Sequence, residues 1–100
     1  MRDRFSHIIQ SEKPVLVDFY TDWCAPCRMM PPILKELKEK CGDQIRIIKV
    51  NLDDHPVLAR EYRIQSIPAL LLFRKGELKW QSLGVKTADV LHSQLKSFLK

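Results

Sequence analysis

Residues 15–20, VLVDFY, are apolar at every position but one. A strand that is apolar on alternate residues can lie against solvent on one side, but one that is apolar throughout must be covered on both faces. That requirement calls for helices above and below a sheet, and the rest of the chain supplies them. Phe5, Ile8 and Ile9 in DRFSHIIQS, 3–11, recur at helical spacing, and Pro14 ends that segment. A helix is expected to begin near Ala25 or Pro26, where a proline in the first turn removes an N–H that has no partner anyway. It continues through ILKELKEKC with Ile33, Leu34, Leu37 and Cys41 facing inward, with a kink at Pro31 and Pro32, and Gly42 closes it. QIRIIKVNL reads as a second strand, DHPVLAREYRI as a short helix, ALLLFR as a third strand, and ELKWQSL as its hairpin partner across Lys75–Gly76. Thr87 caps a last helix whose inner face is Val90, Leu91, Leu95, Phe98 and Leu99. The order α β α β α β β α predicts an α/β fold: a mixed sheet of three or four strands, helix-linked strands joined by parallel crossovers, the last two antiparallel, and helices on both faces.

At 100 residues the chain has room for one core, so a single domain over 1–100 is expected. No apolar run approaches the roughly 20 residues of a membrane span. The charged, amphipathic start MRDRFSHIIQSEKP does not read as a signal peptide. A cytoplasmic protein is expected, or a periplasmic one if the chain is a processed form. A net charge of +5 raises the question of nucleic acid. The basic residues, however, are dispersed and interleaved with acids, as in KELKEK and AREYR, and no aromatic-studded cluster forms. A mixed solvated surface is the expectation, with neither nucleic acid nor membrane as partner.

The Asp in VLVDFY is costly in a buried strand unless it has a partner or a task. Six residues later come two cysteines three positions apart, in DFYTDWCAPCRMMPP. A structural zinc site needs four ligands, usually two short-spaced pairs; only Cys41, His7, His55 and His92 remain, and none makes a second pair. No metal is therefore expected. A redox pair fits better. If the helix starts just after Cys24, that sulfur faces free N–H groups and the positive end of the helix dipole, both of which favour thiolate. Cys27, one turn along and expected to be less exposed, could resolve a mixed disulfide formed at Cys24. A purely structural disulfide is the bland alternative, though a loop this small gives little entropic stabilisation. Asp18, with its pKa raised by burial, could move protons to or from a thiol, or could simply be neutralised by Lys49 on the next strand. Pro68, in SIP before the third strand, can be cis. Cys41 reads as a small buried core residue.

With these residues in view, the chain resembles the thioredoxin family over almost its whole length. The matching segments are VLVDFYTDWCAPCRMMPPILKEL, KVNLDD, YRIQSIPALLLFRKGEL and SLG. The resemblance implies a thioredoxin-like fold and a protein-disulfide reductase with a redox-active Cys24–Cys27 disulfide, Cys24 as nucleophile and Cys27 as resolving thiol. It makes Asp18 the buried acid/base, Lys49 its modulator and Pro68 a cis-proline. Trp23, Ala25, Pro26, Ile67, Leu83, Gly84 and Val85 become an apolar collar for substrates. It further implies a monomer with no bound cofactor, recharged from NADPH through a flavoprotein thioredoxin reductase and acting on oxidised proteins. A disulfide oxidant or isomerase, or a non-catalytic thioredoxin-like binding subunit, is the alternative. The chain departs from the family in having WCAPC for the usual WCGPC, Tyr20 where Trp is common, and Ala69 after the proline. The family's first edge strand is expected to be absent, leaving residues 45–51 at an open edge guarded by Arg46 and Lys49.

Overall fold

A computed structural model describes residues 2–99; Met1 and Lys100, the ends of the expected domain, lie outside it. Helix α1 spans Arg2–Ile8 and strand β1 Val15–Tyr20. A 3-10 turn at Pro26–Met29 leads into α2, Met30–Cys41. Strand β2 follows at Arg46–Asn51, α3 at Pro56–Glu61, β3 at Ala69–Arg74, β4 at Glu77–Leu83 and α4 at Ala88–Leu95. The sheet order is β2-β1-β3-β4, which bears out the four-stranded mixed sheet. Among the described residues no strand precedes β1, and β2 is an outer strand with Arg46 and Lys49 exposed along it.

The all-apolar β1 has the double cover that its composition demands. On one face, Leu16, Leu70 and Leu72 pack against Met30, Leu34 and Leu37 of α2 and Leu91 and Leu95 of α4. On the other, Val15, Val17, Phe19, Leu71 and Phe73 pack against Phe5 and Ile9 of the N-terminal segment and Leu58 of α3. Phe5 is central to this second layer, with its ring 5.7 Å from Phe73 and 6.1 Å from Phe19. The Lys75–Gly76 turn, with both residues at positive φ, matches the two-residue hairpin geometry that follows sheet twist. Its amides donate to Ser11 and Ile9 carbonyls at 2.9 and 2.8 Å, tying down the chain after α1.

Several expectations change. Strand β1 pairs with β2 in parallel, but with β3 antiparallel, Phe19 opposite Ala69; the connection through α3 is not a parallel crossover. Six residues of helix rise only about 9 Å, less than half the roughly 20 Å of a six-residue strand. The helix thus does not carry the chain back along the sheet; β3 starts at the end where β2 finished. Pro31 and Pro32, expected inside a helix, fall instead in the first turn of α2, just after the 3-10 turn, where unpartnered N–H groups are normal. Val90 is 42% exposed rather than inward. With Thr87 as N-cap, accepting from the Val90 amide at 3.2 Å, the buried stripe of the last helical segment is Ala88, Leu91, Leu95 and Leu99. Ile33 and Phe98 are only partly buried, at the margin of the core.

Candidate active site

The reversal at β3 assembles the site. Strand β1 ends at Tyr20 and delivers Cys24 four residues later; β3 begins at Ala69, paired with Phe19 at the same sheet end, so Pro68 arrives there too. The Ile67–Pro68 bond is cis, and the Gly84 amide donates to the Pro68 carbonyl at 2.8 Å. Trp23–Pro26, the 66–68 loop and the 83–85 segment after β4 thus converge at one end of the molecule. Of the expected collar, Trp23 is 71% and Leu83 50% exposed. Ala25 and Pro26 are exposed, and Ile67, Gly84 and Val85 half-buried. Gly84 sits at φ 82°, a backbone that glycine adopts without strain.

Cys24 and Cys27 are joined as a disulfide with their Cα atoms 5.3 Å apart. The two are equally buried, each 5% exposed, so the expected difference in exposure is absent in the oxidised form. What distinguishes the sulfurs is the helix start. Residue Ala25 caps the 3-10 turn, and the Cys27 amide donates to Cys24 Sγ at 3.2 Å. Cys24 Sγ thus accepts from an amide at the N-terminal end, where negative charge is stabilised.

Asp18 is 1% exposed, and its Oδ1 has no hydrogen-bond partner. Sheet alternation puts it on the face of Leu16 and Tyr20, beneath the turn that carries Cys27. Burial pushes its carboxyl up from 3.8 to about 6, with Lys49, its register partner on β2, opposing the shift. A cleft of about 150 Å³ lined by Tyr20, Thr21, Asp22, Cys27, Arg28, Pro31 and Lys49 opens this region to water. Lys49 and Cys27 thus share one cleft, with Asp18 buried beside Lys49 in register, and the collar segments lie at the same end of the sheet.

Two contacts escape a reading of the sequence. The Trp23 indole Nε1 donates to Asp53 Oδ2 at 3.1 Å across 30 residues. Asp53 is in turn placed by its own amide, which donates to Asn51 Oδ1 at 2.9 Å; nothing local separates Asp53 from its neighbour Asp54. The Lys49 ammonium lies 4.9 Å from the centre of the Tyr20 ring, close enough for cation–π attraction. The signal for that pair, an aromatic and a cation on adjacent strands, emerges only once register is known. Cys41 is buried in the α2–α4 layer, and its thiol pKa is raised by desolvation.

A cysteine pair at a helix start, a buried carboxyl beneath it and a cis-proline beside it, on a sheet covered on both faces, define an α/β protein with a dithiol–disulfide site. A thioredoxin family model matches residues 1–97. The chain is 42% identical to the thioredoxin of Alicyclobacillus acidocaldarius over 96 residues, 96% of this chain and 91% of that protein. It is 45% identical over 89 residues to a thioredoxin-like protein of Synechocystis sp., covering 89% of this chain and 85% of that one. Its structure matches the oxidised mitochondrial thioredoxin 3 of Saccharomyces cerevisiae with a TM-score of 0.85 at 29% identity, over 96% of this chain and 89% of that one. The chain belongs to the thioredoxin family and is a thiol–disulfide oxidoreductase that reduces protein disulfides. Membership implies protein substrates and a reductase partner, and chemistry carried by the cysteine pair without a bound cofactor. No helix among the described residues is long and apolar enough to cross a membrane.

Proposed function

We propose that Cys24 is the nucleophile and Cys27 the resolving thiol. The observation that carries this assignment is the Cys27 amide aimed at Cys24 Sγ. The reduced Cys24 thiolate attacks one sulfur of a substrate disulfide, forming a mixed disulfide and expelling the other sulfur as a thiolate that takes up a proton. Cys27, on losing its proton, attacks Cys24 Sγ; the mixed disulfide breaks, the second substrate thiol leaves with a proton, and Cys24–Cys27 is oxidised. Two electrons pass to the substrate. Asp18 is the base that takes the Cys27 proton; its register partner Lys49 lines with Cys27 a water-accessible cleft. Its pKa of about 6 suits that task near neutrality. Lys49 holds that value down from where burial alone would put it, and the Tyr20 ring steadies Lys49.

Substrates dock on the collar of Trp23, Ala25, Pro26, Ile67, Leu83, Gly84 and Val85, with an extended segment pairing to the Ile67 backbone beside Pro68. The oxidised pair is recharged from NADPH through a flavoprotein reductase, in the cytoplasm, by a monomer folded as one domain over 1–100. Ala25 and Pro26 place no thiolate-stabilising charge between the cysteines, which supports a reductant over an oxidant.

Insulin disulfide reduction coupled to NADPH and a thioredoxin reductase tests this, in wild type, Cys24→Ser and Cys27→Ser. The expected pattern is turnover in wild type, none in Cys24→Ser, and a trapped mixed disulfide at Cys24 in Cys27→Ser. Trapping through Cys27 instead would reverse the assignment. A reduction potential of about −120 mV against glutathione, the oxidant end of the scale, would overturn the reductant reading.

A further inference from the structure

Helix α3 ends on a residue ill suited to its conformation. The Ile64 amide donates to Ala59 at 2.9 Å and the Arg63 amide to Arg60 at 3.2 Å, the two bonds that close a helix over a left-handed residue. That residue is Arg63, at φ 53°, where a β-carbon crowds the backbone and glycine is unstrained. No ion pair or side-chain hydrogen bond among the described residues explains the choice. Arg63 and Arg60 are both exposed, and neither guanidinium has an ion pair or hydrogen bond among the described residues.

Two clefts meet at Arg63. One of about 360 Å³ is lined by Arg60, Arg63, Ile64 and their neighbours. The other, also about 360 Å³, runs from Arg63 and Ile64 past Ser66 to Gln81 and Leu83. Glu61, between the two arginines in sequence, lines neither cleft. The second cleft reaches Leu83 and the loop that ends at cis-Pro68, so a substrate strand leaving the collar has a continuous path into it. Along that path it meets the Arg63 guanidinium, with Arg60 lining the adjoining cleft; the fork geometry of both matches carboxylates.

We propose that this groove selects oxidised proteins whose reducible cysteine is flanked by Asp or Glu, with Arg63 and Arg60 as the specificity-determining residues. The inference rests on the collar being the docking surface and concerns recognition alone. A strained arginine at a helix end, unpaired and facing the groove next to the site, is accounted for by a partner that carries the opposite charge. The chain's net charge of +5 adds long-range attraction for the same class of substrate.

The test uses disulfide-linked dimers of short synthetic peptides with the cysteine flanked by Glu, Ser or Lys. Each is reduced by the dithiol protein in single turnover, and rates are divided by those with dithiothreitol to cancel intrinsic disulfide reactivity. Wild type is expected to prefer the Glu over the Ser peptide by about three- to tenfold at low ionic strength, with the preference fading near 0.5 M salt. The ratio should approach one in Arg60→Gln/Arg63→Gly and invert toward the Lys peptide in Arg60→Glu/Arg63→Glu. Thermal melts confirm that the variants fold; glycine at 63 should raise the melting temperature, which separates a recognition defect from a folding defect. Equal normalised rates for Glu and Ser peptides in wild type would overturn the inference while leaving the reductase reading intact. So would an unchanged ratio in the variants with only their KM for a reductase altered. A wild type that reduces no peptide disulfide would overturn the reductase reading and this inference with it.

Discussion

Replacing Asp18 by Asn removes an ionisable group that is 1% exposed, and its effect on stability has a definite pH signature. The carboxyl titrates at 3.8 ordinarily and at about 6 in the fold, because burial disfavours its charged form more than Lys49 favours it. The native state therefore binds this proton more tightly than the unfolded chain. Below pH 3.8 both states are protonated and the burial of Asp18 carries no ionisation penalty. As pH rises from there to about 6 the unfolded chain ionises first and native stability falls; above about 6 the loss is complete. The interval between the two values corresponds to about 3 kcal/mol at neutral pH. Asn is neutral throughout, so Asp18→Asn should be more stable than wild type by about that amount near neutral pH, the gap closing as the pH falls below 4. Urea unfolding of the oxidised proteins from acid to pH 8 measures it. A stability difference that does not change across this range would refute the reasoning, as would a variant less stable than wild type at pH 8. The same substitution should slow the second, Cys27-dependent step by on the order of 10²-fold at neutral pH, with the alkylation rate of Cys24 as the internal control.

The remaining predictions concern single sites. Thr87→Ala, which removes the acceptor for the Val90 amide, should destabilise by about 1 kcal/mol in urea unfolding; no measurable change would mean that the cap is not formed. Arg63→Gly relieves a left-handed β-carbon and should stabilise by about 1 kcal/mol, whereas destabilisation would show that the side chain makes contacts within the fold. In native reduced protein, iodoacetamide should modify Cys24 rapidly and Cys41 only on unfolding, because Cys41 lies inside the α2–α4 layer with its thiol pKa raised, whereas Cys24 Sγ faces a helix-start amide. Comparable native rates for the two, read by peptide mass mapping, would refute the burial argument.

Much of the site is legible in the linear chain because its chemistry is local. Cys24, Cys27 and the proline that starts their helix lie within four residues of one another, and the helix field on Cys24 needs nothing beyond that turn. Asp18 declares itself as an acid inside a run that must be buried on both faces. Residues whose importance depends on a distant partner do not declare themselves. Asp53 is one acid of two until Trp23 reaches it, and Tyr20 is one aromatic among several until register sets Lys49 over its ring. Val90 follows the helical spacing of its neighbours, yet the way α4 rolls onto the sheet leaves it outside.

The sequence by itself determined the kinds of element and their order, the double cover of β1 and the spacing that makes the two cysteines a candidate redox pair. Each of these follows from side chains a few residues apart, and such short-range spacing survives in the linear record. Tertiary structure alone decided the direction of β3. The connection from β2 through the six-residue α3 closes at the sheet end where it began, so β3 starts where β1 ends and runs back beside it. That single reversal carries Pro68, Ile67 and the groove at Arg63 to the cysteine end of the molecule. Strand direction is a property of how a connection spans the sheet, and no periodicity within either strand encodes it.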